Sequence, residues 1–354
     1  MNVKRILLLC ALSLPAPAVA VGQGFAGLGS SAEGFSIPQR GVAPTFPRDH
    51  GPHPDFRIEW WYVTANLQTA GGEQLGVQWT LFRSALQPGR RVGWADPQIW
   101  LGHAAVTTAS RHYVAERLAR GGVGQAAVEA EPFEAWIDNW QMKAATTGLA
   151  DQLDQIDLNA GGEDFHYQLK LQARGPLILQ GERGFSVKSA AGQASYYYSQ
   201  PFYDVSGTIG LDGKNQEVTG KAWLDREWSS QPLASNQKGW DWFSLHLASG
   251  EKLMAFRLRE EQGEYISANW ISADGKTSPI NPADVQLSPL RTATVNGRAM
   301  PVEWNVKIPS RGLDIKTVAL NEQAWMATSM PYWEGPIEFS GTTSGRGYLE
   351  MTGY

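Results

Sequence analysis

Apolar and polar positions along this chain switch over short runs, mostly with a period near two rather than 3.6. Leu75 to Phe82 alternates in part, Leu101 to Thr108 is small and β-prone, and Ala135 to Trp140 ends on an aromatic. Phe165 to Ala173, Leu177 to Gln180, Val218 to Trp228, Met254 to Arg259, Tyr265 to Ile271, Val302 to Ile308 and Ile337 to Tyr348 read the same way. Each run is bounded by Gly, Pro, Asn, Asp or Ser, which predicts strands joined by turns. Met142 to Gly161 is the one ambiguous stretch, where Leu149, Leu153 and Ile156 fit either a short helical turn or a loop. No long capped helical pattern is present, so the predicted class is all-β.

The pattern also repeats. Glu59 to Arg83 and Gly239 to Arg259 are each an aromatic run, a Gly turn and a second strand. With Trp60 set on Trp240, Asn66-Leu67 falls on His246-Leu247, and Gly72-Glu73 on Gly250-Glu251 after a short gap. The closing strands agree as well, Gly220 to Asp225 (GKAWLD) with Gly345 to Glu350 (GRGYLE). Upstream of them, Ser206-Gly207-Thr208-Ile209 is set on Glu334-Gly335-Pro336-Ile337. A start and a finish that recur in fixed order predict two tandem β domains of one fold, the first longer by about 55 residues. The polar stretch Ser229 to Lys238 is the linker candidate, giving domains at 50–232 and 233–354.

Residues 1–22 read as a signal peptide: Lys4-Arg5, a short apolar core to Leu14, and Ala18-Val19-Ala20 as cleavage site. That places the mature protein in the periplasm or outside the cell. Residues 23–49 are rich in Gly, Ser and Pro and read as an extended arm. Cys10, the single cysteine, lies in the apolar core, so a processed chain has no thiol or disulfide. Removing Lys4 and Arg5 takes the formal charge from −5 to −7, which argues against nucleic acid and anionic membrane surfaces as partners. The apolar run is too short to span a bilayer, so no stable membrane insertion of the mature chain is expected.

Candidate chemistry is sparse. The six histidines have no metal-ligand spacing, and His50 and His53 sit in a Pro-Gly loop where solvated residues are expected. There is no nucleophile elbow, phosphate loop or dinucleotide fingerprint, and no metal or cofactor is expected. What remains is carboxylates among aromatics. A period of two in Trp223 to Trp228 puts Trp223, Asp225 and Glu227 on one face and Leu224, Arg226 and Trp228 on the other. Two carboxylates beside a Trp can raise one carboxyl pKa and make a general acid, or can simply pair at a rim. Glu59, Trp61, His103 and the aromatic run Tyr196 to Tyr198 are further ligand-binding candidates. Glu350, at the position matching Asp225, points instead to a structural role shared by both repeats.

Six segments together resemble the secreted two-domain lipocalin-like proteins that include AttH-type proteins and carotenoid 1,2-hydratases. They are HPDFRIEWWYVTANL from His53, HAAVTT from His103 with ERLAR from Glu116, WIDNW from Trp136, GKAWLDREW, GWDWFSLHL, and YWEGPIEFSG with GYLEMTGY to Tyr354. The resemblance implies two lipocalin-like antiparallel β-barrels in tandem, export, and association with the permease of a MacB-type ABC transporter. In the hydratase branch, which adds water to a terminal C=C bond, the expected acid falls on Asp225. That branch has His and Trp where this chain has Tyr196 to Tyr198, and Tyr at the position of Trp223, which sets the chain nearer the AttH-type branch.

Three functions follow as expectations. The first is a carrier holding an elongated apolar molecule (lipid, polyene or terpenoid) in an aromatic barrel mouth, beside a transporter. The second is a cofactor-free hydro-lyase or isomerase of a polyene or terpenoid C=C bond. In that reading Asp225 is the acid, Glu227 raises its pKa, and Trp223 or Tyr196 to Tyr198 form the cation-stabilising wall. The third is a structural subunit of the transporter.

Overall fold

The structure is a computed structural model and describes residues 32–146, 148–231 and 233–354. The segment read as a signal peptide and the first part of the arm lie outside the described residues. The described strands form two antiparallel sheets, one of thirteen strands between Ile58 and Ser229, the other of ten between Gln237 and Met351. Each sheet curls into a barrel-like layer around its own apolar interior.

The sheets share one topology. The opening strand, Ile58–Thr69 or Gln237–Leu247, lies between its hairpin partner (Gln74–Ala85 or Lys252–Glu260) and the closing strand (Lys214–Ser229 or Gly345–Met351). Register matches to the residue: Leu67 faces Gly220 as Leu247 faces Gly345, so Trp60 and Trp240 are equivalent. A Cβ on Gly220 would meet the Asn66 carbonyl at 2.1 Å, and one on Gly345 the His246 carbonyl at 2.1 Å, which explains the glycine in both copies. Asp225 and Glu350 are therefore equivalent positions. The upstream match needs correcting. The register of the penultimate strands, Ala194–Leu211 and Tyr332–Gly341, sets Ser206-Gly207 on Ser340-Gly341 and not on Glu334-Gly335. Gly207 and Gly341 share an unusual backbone, φ +153° and +150°, open only to glycine here because a Cβ would strike a neighbouring carbonyl.

The extra length of the first repeat includes two strands without counterpart, Ala126–Ala130 and Phe133–Ile137. Of Met142 to Gly161, ambiguous in sequence, the ends belong to strands Trp140–Ala144 and Gln155–Gly161, with Ile156 on the second, while Leu149 and Leu153 lie in the connection, as the loop reading has it. Inward-facing Ile156, Leu158 and Ala160 alternate with partly exposed neighbours, so the period there is two.

Both barrel interiors are filled by side chains. Trp61, Trp79 and Trp140 pack the first, and Phe243, Trp304 and Trp333 the second, all nearly inaccessible. The arm closes one end of the first barrel: Phe46 stacks on His50, and His50 Nδ1 lies 2.7 Å from the Tyr198 hydroxyl. His50 is accordingly buried and not solvated, while His53 is partly exposed and stacks on Trp228 at 4.0 Å. Among the described residues no helix is long and apolar enough to cross a membrane.

Candidate functional site

The two sheets meet through the outer faces of their equivalent opening hairpins and closing strands. Period-two geometry sends Trp61, Val63 and Leu67 into the first barrel, and Trp60 and Tyr62 outward toward the second. Between the faces lies a cleft of about 910 Å³, counting its open mouth. Trp60, Tyr62 and Phe82 form one wall, Trp240, Trp242 and Phe256 the other, and Asp225, Glu227 and Glu350 project into it. Lys188 and Gln193 enter from the loop before the penultimate strand.

Asp225 is held by three groups. Its Oδ1 accepts from the Ser199 hydroxyl at 2.5 Å and the Trp223 indole N–H at 2.7 Å, and its Oδ2 accepts from the Tyr197 hydroxyl at 2.8 Å. The direction of these bonds is fixed from behind. Gln180 donates to Ser199 at 2.9 Å and Trp242 donates to Tyr197 at 3.3 Å, so each hydroxyl spends its own proton on Asp225. Gln180 in turn accepts from Asn269 of the second sheet at 2.8 Å. Both lone pairs of Oδ1 are then occupied and one on Oδ2 is free, which is where an acid proton must sit.

Burial pushes the Asp225 carboxyl up to about 7, against the pull of its three donors. The charge on Glu227 adds only a smaller push, because Lys188 pairs with Glu227 at 2.9 Å; desolvation, and not Glu227, is the main cause of the shift. Burial likewise lifts Glu350 to about 7, aided by Asp225 and Glu227, while the Trp240 indole donates to it at 2.7 Å. Two carboxyls from equivalent positions of the two repeats thus face one aromatic cleft, each poised near neutrality. Removing a donor from Asp225 disfavours its charged form, so Ser199→Ala and Tyr197→Phe should each raise its pKa further. Carbon-13 NMR titration of the Asp225 carboxyl checks this, and an unchanged or lower midpoint in both variants would contradict the assigned bond directions.

The other sequence candidates lie elsewhere. Trp223 is fully buried beneath the cleft, donating to Asp225 and meeting the wall residue Trp242 edge-on. Tyr196 and Tyr198 point into the first barrel, and the middle residue of the run, Tyr197, is the one that reaches the cleft. Trp61 is barrel core, its indole donating to the His50 carbonyl at 2.9 Å. Glu59 is wholly buried in an ion cluster with Arg83, Arg226 and His53. His103 lies outside the lumen, between the Tyr332 hydroxyl and Glu116, each at 3.1 Å. Sequence reasoning gave Glu350 only a structural role and did not reach Lys188, Tyr62 or the Trp242–Phe256 wall. The repeat alignment of Asp225 with Glu350 carried the signal for Glu350; nothing local marks Lys188. Among the described residues no group of three His, Cys, Asp or Glu side chains gathers to hold a metal ion.

The fold recurs in other proteins. Similar solved structures include an AttH protein of Nitrosomonas europaea, 35% identical, with 90% of this chain and 99% of that one covered at a TM-score of 0.80. Kievitone hydratase of Nectria haematococca is 17% identical, with 90% and 96% covered at a TM-score of 0.67, a likeness of fold. No curated protein matches the sequence. The AttH-like family model matches residues 37–354, and the chain belongs to the AttH-like family.

Proposed function

We propose that the cleft is the site of a cofactor-free hydro-lyase or isomerase acting on a C=C bond of an apolar polyene or terpenoid. The observation that carries this reading is Asp225: a buried carboxyl, raised to about 7, whose one free lone pair belongs to an oxygen at an aromatic cleft. An alkene needs a strong local proton donor and has no polar atom to bind, so a neutral carboxylic acid in an apolar wall suits it. Asp225 Oδ2–H gives its proton to one alkene carbon, and the π electrons form the new C–H bond. The cation left on the other carbon faces the Trp60, Trp242 and Phe256 rings. Water then forms a C–O bond and loses its proton to Glu350. Alternatively, a neighbouring C–H gives up its proton to the Asp225 carboxylate left by the first step, the C–H electrons reform the double bond one position along, and the product is an isomer. In this scheme Glu227, tied to Lys188, holds the cleft mouth.

A carrier of an apolar ligand, the first expectation from sequence, becomes the second reading, favoured by the same aromatic walls; its ligand would occupy the cleft, since both barrel interiors are packed. The N-terminal segment supports an exported setting for either reading, and a place beside an ABC transporter rests on the resemblance alone. Incubation with unsaturated terpenoids in heavy water, followed by mass spectrometry, separates the two. Catalysis predicts deuterium on carbon in product or recovered substrate, and recovery of a tightly held compound with no deuterium on carbon would favour the carrier.

A further inference from the structure

Behind the cleft, a line of polar side chains runs through the contact between the sheets and is not needed to hold Asp225. Tyr62 lines the cleft and is the cross-strand neighbour of Asp225, a pairing that sets Cβ atoms about 5 Å apart. Its hydroxyl donates across the domain contact to Glu334 Oε1. Glu334 is 1% exposed, the cross-strand neighbour of Glu350, and its Oε2 has no hydrogen-bond partner. Burial, then the charge of Glu350, holds the Glu334 carboxyl well above the usual range, which favours its protonated form. Tyr332, two residues before Glu334 on one strand and so on the same face, has a hydroxyl that accepts from Gln78 at 3.3 Å and lies 3.1 Å from His103 Nδ1. His103, itself inaccessible and with its pKa lowered by burial, is neutral; its Nε2 lies 3.1 Å from Glu116 Oε1. Glu116 is partly exposed and is steadied by Ser329.

We propose that Tyr62, Glu334, Tyr332, His103 and Glu116 form a proton path from the cleft to solvent, ending beside Asp225. Hydroxyl, neutral carboxyl and neutral imidazole each both donate and accept, so a proton entering at Glu116 can move inward by successive hand-over along the line. The path deepens the acid–base reading and rests on it for its purpose. An acid covered by apolar substrate loses access to bulk water, and isomerisation or hydration both require its proton to be restored. The sheet contact gives this route a place because both domains supply it: Tyr62, His103 and Glu116 come from the first, Glu334 and Tyr332 from the second.

The test needs no substrate. Infrared spectroscopy of the full chain after transfer to heavy water follows the C=O stretch of the neutral carboxyl, assigned by its disappearance in Glu334→Gln. In the unmodified protein this proton should exchange well before the buried amides of the flanking strands. In Tyr332→Phe and in Glu116→Gln it should slow to the rate of those amides. Glu116→Gln lies at a partly exposed position and retains an oxygen for His103 and Ser329, so it keeps the test open if the buried variant does not fold. Exchange in Glu116→Gln as fast as in the unmodified protein would overturn the path, as would the absence of any neutral-carboxyl band removed by Glu334→Gln. Failure of the catalytic reading, seen as no deuterium on carbon in the substrate experiment, would leave these exchange rates as they are.

Discussion

Asp225→Asn should lower turnover of a C=C substrate by roughly 10²- to 10⁴-fold, the usual range for a positioned general acid. Asn is close in shape and still offers Oδ1 to Ser199 and Trp223, so the cleft and its ligand affinity should persist. Its amide cannot release a proton to carbon. The expected signature is a fall in kcat at little change in KM, measured with the compound that carries deuterium in the heavy-water experiment. Unchanged turnover would remove Asp225 from the chemistry and shift the role to Glu350. The same change has a stability counterpart. A carboxyl raised from 3.8 to about 7 contributes stability that is full below pH 4 and is lost as pH rises through 7. Asp225→Asn should flatten that part of the stability–pH profile.

Glu59→Gln should cost the first barrel about 3–5 kcal/mol of unfolding free energy, the usual result of removing one partner from a buried ion cluster. Glu59, Arg226 and Arg83 are 0%, 0% and 1% exposed at the side chain. Glu59 Oε2 accepts from Arg83 Nε at 2.7 Å, Oε1 meets Arg226, and the His53 ring lies 2.6 Å away. Although burial by itself would raise it, Arg226, Arg83 and His53 hold the Glu59 carboxyl well below the usual carboxylate range. Its loss leaves two guanidiniums facing each other without a counter-charge, with Arg226 stacked 3.8 Å over Trp61. Chemical denaturation reads the change in the first barrel's transition, and a loss below about 1 kcal/mol, the value of an exposed pair, would contradict this account.

Much of this architecture was legible because strand period and repeat spacing are local properties of the sequence. The alternation at Trp223 to Trp228 separates Asp225 and Glu227 from Arg226 and Trp228, and in the structure these sets do occupy opposite faces. The repeat at Trp60 and Trp240 matches in register because tight strand contacts demand glycine at Gly220 and Gly345. The site was less legible because it belongs to neither domain alone. A run such as Tyr196 to Tyr198 has no parity of its own; pairing with Trp228, Glu227 and Arg226 decides that Tyr197 turns outward. Glu59 looks in sequence like any strand carboxylate, and only the distant Arg83 and Arg226 make it structural. Glu350 becomes a cleft residue through the docking of two sheets, which no window of sequence records.

The central claim is that a buried carboxyl at the edge of an aromatic cleft keeps a large protonated fraction at physiological pH. Its most direct measurement is the carbon-13 NMR titration of the Asp225 side chain in the full chain, with Asp225→Asn assigning the resonance. A midpoint near 7 is the predicted result. A midpoint near 4, the ordinary value for aspartate, would contradict the account, because Asp225 would then be ionised at neutrality and have no proton to give.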